Sequence, residues 1–548
     1  MSSDPLTSAI NYSYLFHLPL ELLTSIFELL PNRDLKNARL TCRGLRNTVR
    51  LRLDRVFISA NPRNIKVARA IANDETYRRG IVEIVWDDSL LAITRDYQYS
   101  DSSDDETSPN NDKPPAWFRH ELEENLHHIL TQHVKPDDPD LPIHVVTAQR
   151  AAALISVKEA WTYYQTLFQQ QKTVLTSGAD VSALHYALER FPSLRRVTIT
   201  PATHGVLFHP LYQTPMIRNF PRELNYPIRY GWLAPKTPIS GPEAPPSGDL
   251  DDASMDPWHG FRMVTQILAK MRDHHHVTEL VLDAVGLLSG ISCRIFESPC
   301  REYNDLIALL QQPGFKQLDL ALIVGGEWHN DWVSFRNGNL SRMLAGAPDL
   351  EHIALSTSVE PDPAAHAGSD GDMKNFIPLR SIFPVDRWHR LRHFALSQFL
   401  VKQADVIEFL AALPETLRSV ELSFLIFLDP EGNYHDMLAE MRKRLGSWQK
   451  REKWARPKVV IGVNSLRTSK MIGRAIWIDN EVEEFLYGAG KNPFGILYDK
   501  NSVQFGYGVV RDVFEPEFER PYVDRDTMEK LGYYKKRLRR RSKSIEQF

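Results

Sequence analysis

Cysteine is nearly absent. Cys42, Cys293 and Cys300 are the only three in 548 residues, and no two stand in a CxxC spacing. A disulfide-stapled scaffold is excluded, and a reducing compartment is the natural setting. Long apolar runs are missing as well. The most apolar stretch, Val420–Leu428, contains Glu421 and is about half a membrane span. The first residues, MSSDPLTSAINYSYLFHL, show no basic segment leading into an apolar one, so no secretory leader is expected. A large excess of one charge is lacking too. Residues 535–543, KKRLRRRSK, hold seven positive charges, which leaves −10 on the rest of a chain whose total is −3. An acidic body with a basic tail argues against general nucleic-acid affinity in the folded part.

Catalytic signatures are also wanting. Gly490-Lys491 could end a phosphate-binding loop, but Phe485 stands where the first glycine is required. His120-Glu121 opens an HExxH pattern that fails at Glu124. Cys293 and Cys300 have no partner ligands at metal spacing. His274-His275-His276 lies between a helix and a strand and reads as a loop, while His127 and His128 sit in a charged helical stretch and read as solvated. No Gly-x-Ser-x-Gly elbow occurs. No catalytic residue, metal or cofactor is expected.

What is present is ordinary globular material, 43% apolar and 25% charged, and the chain is long enough for a large core. Three segments are too polar to order themselves: 100–115 (SDSSDDETSPNNDKPP), 234–257 with six prolines, and 360–372. They read as insertions. Ser103, ahead of Asp104-Asp105-Glu106, would suit an acid-directed kinase.

Between the insertions a unit recurs. An amphipathic helix is followed by a breaker and then by apolar residues at offsets 0, +3 and +5. The triples are Leu53/Val56/Ile58, Ile81/Ile84/Trp86, Leu194/Val197/Ile199, Val277/Leu280/Leu282, Phe315/Leu318/Leu320, Leu350/Ile353/Leu355, Leu391/Phe394/Leu396 and Leu417/Val420/Leu422. Pro192, Pro348 and Pro414 stand just ahead of their triples, where the missing N–H ends a helix. The spacing of 26 to 41 residues over the last five triples is the grammar of an irregular leucine-rich-repeat solenoid. The fold expected is therefore α/β, with a parallel sheet on the concave side. Alternation sends the +3 and +5 residues inward and their neighbours outward. A protein substrate is expected on the outward residues Arg196, Glu279, Asp283, Gln317, Asp319, His352, His393 and Glu421, a set that leans acidic and would attract a basic partner segment. Residues 464–534 read as an α+β extension closing the array, with Trp477, Phe485, Tyr487 and Phe494 in its core.

The N-terminal segment, FHLPLELLTSIFELLPNRDLKNARLTCRGLRNTVR over 16–50, reads as two or three short helices. Pro19 suits a first turn, Leu30-Pro31 ends a helix, and Asp34 can cap the next, which carries Leu35, Ala38, Cys42, Leu45 and Val49. So few residues cannot bury a sufficient core alone. Leu18-Pro19, Glu21-Leu22-Leu23, Ile26-Phe27, Leu30-Pro31, Asp34-Leu35 and Cys42-Arg43 resemble the F-box, with Leu45 where tryptophan is usual. The stretch behind it is similar to that of large fungal families with irregular leucine-rich-repeat bodies. This resemblance implies a Skp-type adaptor bound by Leu18, Pro19, Leu22, Leu23, Ile26, Phe27, Leu30 and Leu35. It further implies a cullin–RING scaffold reached through the adaptor, and a role as non-catalytic substrate receptor of a ubiquitin ligase. An adaptor-binding scaffold without a cullin is the alternative. Neither nucleic acid nor membrane is an expected partner. The expected organisation is F-box 14–50, repeat body 51–463, extension 464–534 and basic tail 535–548. The setting is cytoplasmic or, if the tail directs import, nuclear.

Overall fold

A computed structural model describes residues 18–91, 113–132, 143–228, 232, 256–285, 287, 289–327, 330–359, 375–428, 432–464, 473–495 and 500–533. Ser103, almost all of the three polar insertions, and the basic tail lie outside these residues.

The strands are β1 (Arg55–Ser59), β2 (Glu83–Asp87), β3 (Arg196–Thr200), β4 (Glu279–Leu282), β5 (Ile291–Ser292), β6 (Gln317–Ile323), β7 (His352–Thr357), β8 (His393–Ser397), β9 (Leu400–Val401), β10 (Ser419–Ser423), β11 (Ile426–Phe427), β12 (Lys458–Val463), β13 (Arg474–Ile478), β14 (Val509–Asp512) and β15 (Glu519–Pro521). Thirteen of them form one sheet, whose path β1-β2-β3-β4-β6-β7-β8-β10-β12 is parallel and nearly in chain order. The +3 positions line up in one row: Val56, Ile84, Val197, Leu280, Leu318, Ile353, Phe394 and Val420, continued by Val459. All nine are buried in one apolar core shared with the helices.

Seven of the eight triples hand on to the next parallel strand in the same way: the carbonyl one residue after the triple's first member accepts two N–H donors from the next unit. Arg418, after the eighth, accepts only from Lys458, because Pro457 has no N–H. Asp54 accepts from Val82 and Glu83, Val82 from Arg195 and Arg196, and Lys316 from Glu351 and His352. Thr278, Glu351 and Arg392 repeat the motif. The apolar triple thus sets packing, and the residue beside it sets the hydrogen-bonded step to the neighbouring unit.

The N-terminal helices are α1 (Leu20–Glu28), α2 (Asn32–Thr41) and α3 (Arg43–Thr48). Leu23, Phe27, Leu35, Leu45 and Val49 form a small core of their own. Two details differ from the sequence reading. Pro31, not Asp34, occupies the cap position of α2, which leaves Asp34 in the first turn. The helix from Leu35 to Val49 is broken at Cys42, whose backbone is extended and whose Sγ accepts from Leu45 N at 3.4 Å.

The later helices used below are α4 (Pro62–Asn73), α5 (Glu75–Arg78), α6 (Ala116–Gln132), α7 (Ile143–Ala152), α8 (Val157–Ser177), α9 (Ala179–Leu188) and α10 (His259–Lys270). The helix α10 meets β2 at very close range. The Asp88 carboxylate accepts from Gly260 N at 2.7 Å, Phe261 N at 3.3 Å and Trp232 Nε1 at 2.8 Å. A Cβ on Gly260 would stand 2.0 Å from Trp86 Nε1 and 2.4 Å from Asp88 Oδ1. Gly260→Ala should therefore cost about 1–3 kcal/mol or more by forcing α10 off the sheet. Urea titration measures this; an unchanged midpoint would contradict the packing.

The segment between β2 and β3 builds a second core from α6 and α8 together with the loop around Met216–Tyr226 that follows β3, with Trp117, Phe118, Trp161 and Tyr164 edge-to-face or stacked. Both this insertion and the loop after β3 reach the far end of the sheet. His209 Nε2 lies 3.4 Å from Glu515 Oε1, Arg474 Nη2 lies 3.6 Å from Glu515, and Arg474 Nε lies 2.5 Å from Asp512. Burial and Arg474 also depress the imidazole of His128 on α6. His128 is thus partly buried against the C-terminal extension, which corrects the solvated reading. The extension itself continues the sheet in antiparallel fashion, β12-β13-β14-β15. Phe485 and Phe494 are buried there as expected, while Trp477 is half-buried against Phe424 and Tyr487 donates to Pro457 O at 2.7 Å.

Candidate protein-interaction surfaces

The helix α1 carries two apolar stripes. Leu23 and Phe27 point into the small core and are 6% and 8% exposed. Leu22, Ile26 and Leu29 follow one another in steps of four and three on a neighbouring face and are 52%, 40% and 85% exposed. Pro19, at the N-cap, is exposed too. Arg52 fixes the module: its guanidinium donates to the carbonyls of Glu28 and Leu30, and its backbone N–H donates to Asn32 Oδ1 at 2.9 Å.

The eight residues expected at the adaptor thus divide. Pro19, Leu22 and Ile26 are available to a partner. Leu23, Phe27 and Leu35 are committed to the module's own core, with Leu18 and Leu30 half-buried against it. Leu29 and Leu40, each 85% exposed, were missed. Leu29 continues the Leu22/Ile26 phase and could have been found from it; Leu40 follows no such phase.

The sheet face opposite the helices is polar. Arg196, Glu279, Gln317, His352, His393 and Ser419 form one register row. Asp319, Ala354, Ala395 and Glu421 form the next. Asp283 follows β4 further along. The side chains connect across strands. Glu279 accepts from Arg196 Nε at 2.7 Å and meets Arg195 at 3.5 Å. Arg196 Nη2 donates to Gln317 at 3.1 Å, Gln317 donates to Asp319 at 3.2 Å, and His352 Nε2 lies 3.0 Å from Asp319. His352 and His393 stack at 4.1 Å, and His393 Nδ1 is 2.6 Å from Ser419 Oγ.

This network changes the expected charge. Glu279 is neutralised by two arginines, and Asp319 is partly occupied by His352. Asp283 is held in place, accepting from Val285 N at 2.7 Å, and burial raises its carboxyl. The open acidic region shrinks to Asp319 and Glu421, on either side of two alanines. Toward β1–β3 the face is covered by Tyr212, whose ring lies 5.7 Å from Phe57 and under Arg55. Burial pushes its phenol up to about 12.

Ser419 and His393 have the spacing of a nucleophile and base but not the chemistry. Burial, aided by His352, pushes the His393 imidazole down to about 4, which makes it a weak base. The Ser419 N–H is already donated to Arg392 O at 3.0 Å, so it is no oxyanion donor. The depressed imidazole has a consequence for stability. The unfolded chain takes up this proton near pH 6.5 and the folded chain only near 4, so the contribution is full above 6.5 and is lost as pH falls toward 4. The loss amounts to at most about 3 kcal/mol. His393→Gln should flatten the pH dependence of the denaturation midpoint across this window. The raised carboxyls of Asp283 and Glu421 act in the opposite sense, but both remain in the variant, so only the difference between proteins is read.

Among the described residues no helix is long and apolar enough to cross a membrane, and no group of three His, Cys, Asp or Glu could hold a metal ion. A family model for the F-box domain matches residues 15–55, the segment that carries the exposed Leu22/Ile26/Leu29 stripe. No curated protein matches the chain. The F-box domain implies binding to a Skp-type adaptor. It is typical of substrate adaptors of Skp–cullin–F-box ubiquitin ligases, which are generally non-catalytic subunits.

Proposed function

We propose that this chain is the substrate-recognition subunit of a Skp–cullin–F-box ubiquitin ligase. The F-box at 14–50 docks the adaptor with Pro19, Leu22, Ile26 and Leu29 as the contacting groups, and Leu18, Leu23, Phe27, Leu30 and Leu35 shape that surface from beneath. The body, 51–463, is a leucine-rich-repeat-like solenoid. Support comes from the chain-ordered parallel strands and the repeated two-donor strand entry. Residues 464–534 close its end, and 535–548 form a basic tail. A protein substrate is held on the concave face, with Asp319, His352, His393 and Glu421 at the centre and Arg196, Glu279, Asp283 and Gln317 at the margin.

The chemistry asked of such a receptor is proximity. Holding a substrate lysine beside a charged conjugating enzyme raises its effective concentration and needs no reacting group from the receptor. The observation that carries the reading is the F-box match on an exposed apolar stripe that the small module cannot cover itself. Affinity purification tests it: adaptor and cullin should both be recovered. Recovery of the adaptor without a cullin would favour a non-degradative scaffold, and recovery of neither would overturn the proposal.

A further inference from the structure

We propose that a cleft where β2, β3 and β4 enter the sheet is an anion site that takes a phosphoryl group, carried as a monoester or a diphosphate, a function separate from adaptor docking. The cleft has a volume of about 610 Å³ and is lined by Asn73, Arg78, Arg79, Arg190, His274 and His276 among others. That size is in the range of small-ligand pockets, roughly 300–1,000 Å³. Three separate turns supply the cationic and imidazole groups: Arg78 and Arg79 end α5, Arg190 follows α9, and the histidines follow α10.

The lining is held in place. The Arg190 guanidinium lies 3.9 Å over the Tyr186 ring, and the Tyr186 hydroxyl donates to Asn73, itself a lining residue. Between the two exposed histidines, His275 is buried and bonded to Leu268 O at 3.0 Å and Val277 N at 3.1 Å, which pins the turn. Two carboxylates oppose the three guanidinium groups. Glu189 lines the cleft, and Glu75 lies 2.8 Å from Arg79 and 3.7 Å from Arg78 with a 69% exposed side chain. So exposed a pair is weak and easily exchanged for a stronger anion.

A plainer role for these cations is to offset helix C-termini. One charge per helix end serves that purpose, at about 0.3–1 kcal/mol. It does not require arginines and histidines from three turns around one cavity. The same helix ends oppose an anion by a similar amount. A charge-assisted hydrogen bond, at about 1.5–3 kcal/mol, outweighs them. Guanidinium groups favour phosphate over a carboxylate here, because several forks can share one tetrahedral dianion.

The phosphate could arrive on a small polyphosphorylated molecule or on a phosphorylated side chain of a partner protein. Titration calorimetry on the full chain with pyrophosphate, and separately with a phosphoserine peptide and its unphosphorylated form, tests both at about 0.15 M salt. Saturable binding of either phosphorylated ligand is expected. Pyrophosphate binding tighter than the peptide would assign the small molecule, and the reverse would assign the partner. Arg190→Gln should weaken binding about tenfold, and Arg78→Ala with Arg190→Ala roughly a hundredfold. Lys443→Ala, on a distant exposed surface, should change nothing. Recovery of the adaptor should be the same in all of them. Absence of saturable binding overturns the proposal. So does unchanged affinity in Arg190→Gln, or equal binding of the unphosphorylated peptide.

Discussion

Leu22→Glu together with Ile26→Glu should release the Skp-type adaptor completely while the chain stays folded. Both side chains stand outside the F-box core, so their replacement breaks no internal packing. In the complex each would place a carboxylate against an apolar partner surface. Losing one buried anchor commonly costs about 2 kcal/mol, and two such losses are worth roughly a thousandfold in affinity. Copurification and a thermal melt read the two halves of the claim. Phe27→Ala provides the contrast. It too should lose the adaptor, but by emptying the small core at about 3–5 kcal/mol, so its F-box should be sensitive to proteolysis. An adaptor still bound at wild-type level by the double glutamate variant would sink the docking assignment.

Leu318→Ala and Asp319→Lys, one residue apart, should fail in opposite ways. Leu318 is wholly buried between Leu280 and Ile353 in the +3 row, and truncating it should cost about 2–5 kcal/mol. Asp319→Lys gives up the Gln317 and His352 contacts, a loss of about 1–2 kcal/mol, but reverses the charge where a basic segment would dock. Substrate capture should fall with little change in the urea midpoint. Glu421→Lys should behave likewise. Asp283→Lys is a poorer probe, because that carboxylate holds the Val285 N–H. Deleting 100–115 and 234–257 supplies the control. If capture disappears with those loops yet survives Asp319→Lys and Glu421→Lys, recognition belongs to the insertions and not to the sheet.

Periodicity carried much of this architecture. Eight apolar triples, most of them behind a helix and three behind a proline, became eight consecutive parallel strands of the sheet path, because spacing of three and two places side chains on one face of a turn and strand whatever lies between. The F-box module was legible for a related reason: its residues are local, and helices of nine, ten and six residues are decided within a few turns. The same locality misled in two places. Cys42 lies in phase with a continuous helix, but its extended backbone breaks it. Asp34 has the chemistry of a cap, yet the helix begins three residues earlier than that role requires.

Sequence alone therefore determined the repeated unit, its inward row and the module at the N-terminus, since each rests on neighbours a few residues apart. It could not decide between the two stripes of α1, because both are equally apolar and only the positions of Leu35, Leu45 and Val49 select which one is covered. Nor could it foresee that Glu279 is neutralised by Arg195 and Arg196, or that Asp319 is shared between Gln317 and His352. Those contacts join residues on different strands, and register, not composition, brings them together. The same holds for His209 beside Glu515 and His128 near Arg474. More than three hundred residues separate the members of each pair, so they meet only because the segments after β2 and β3 pack against the extension after β12. Electrostatics acts through distance in space, and for these groups only the tertiary structure sets that distance.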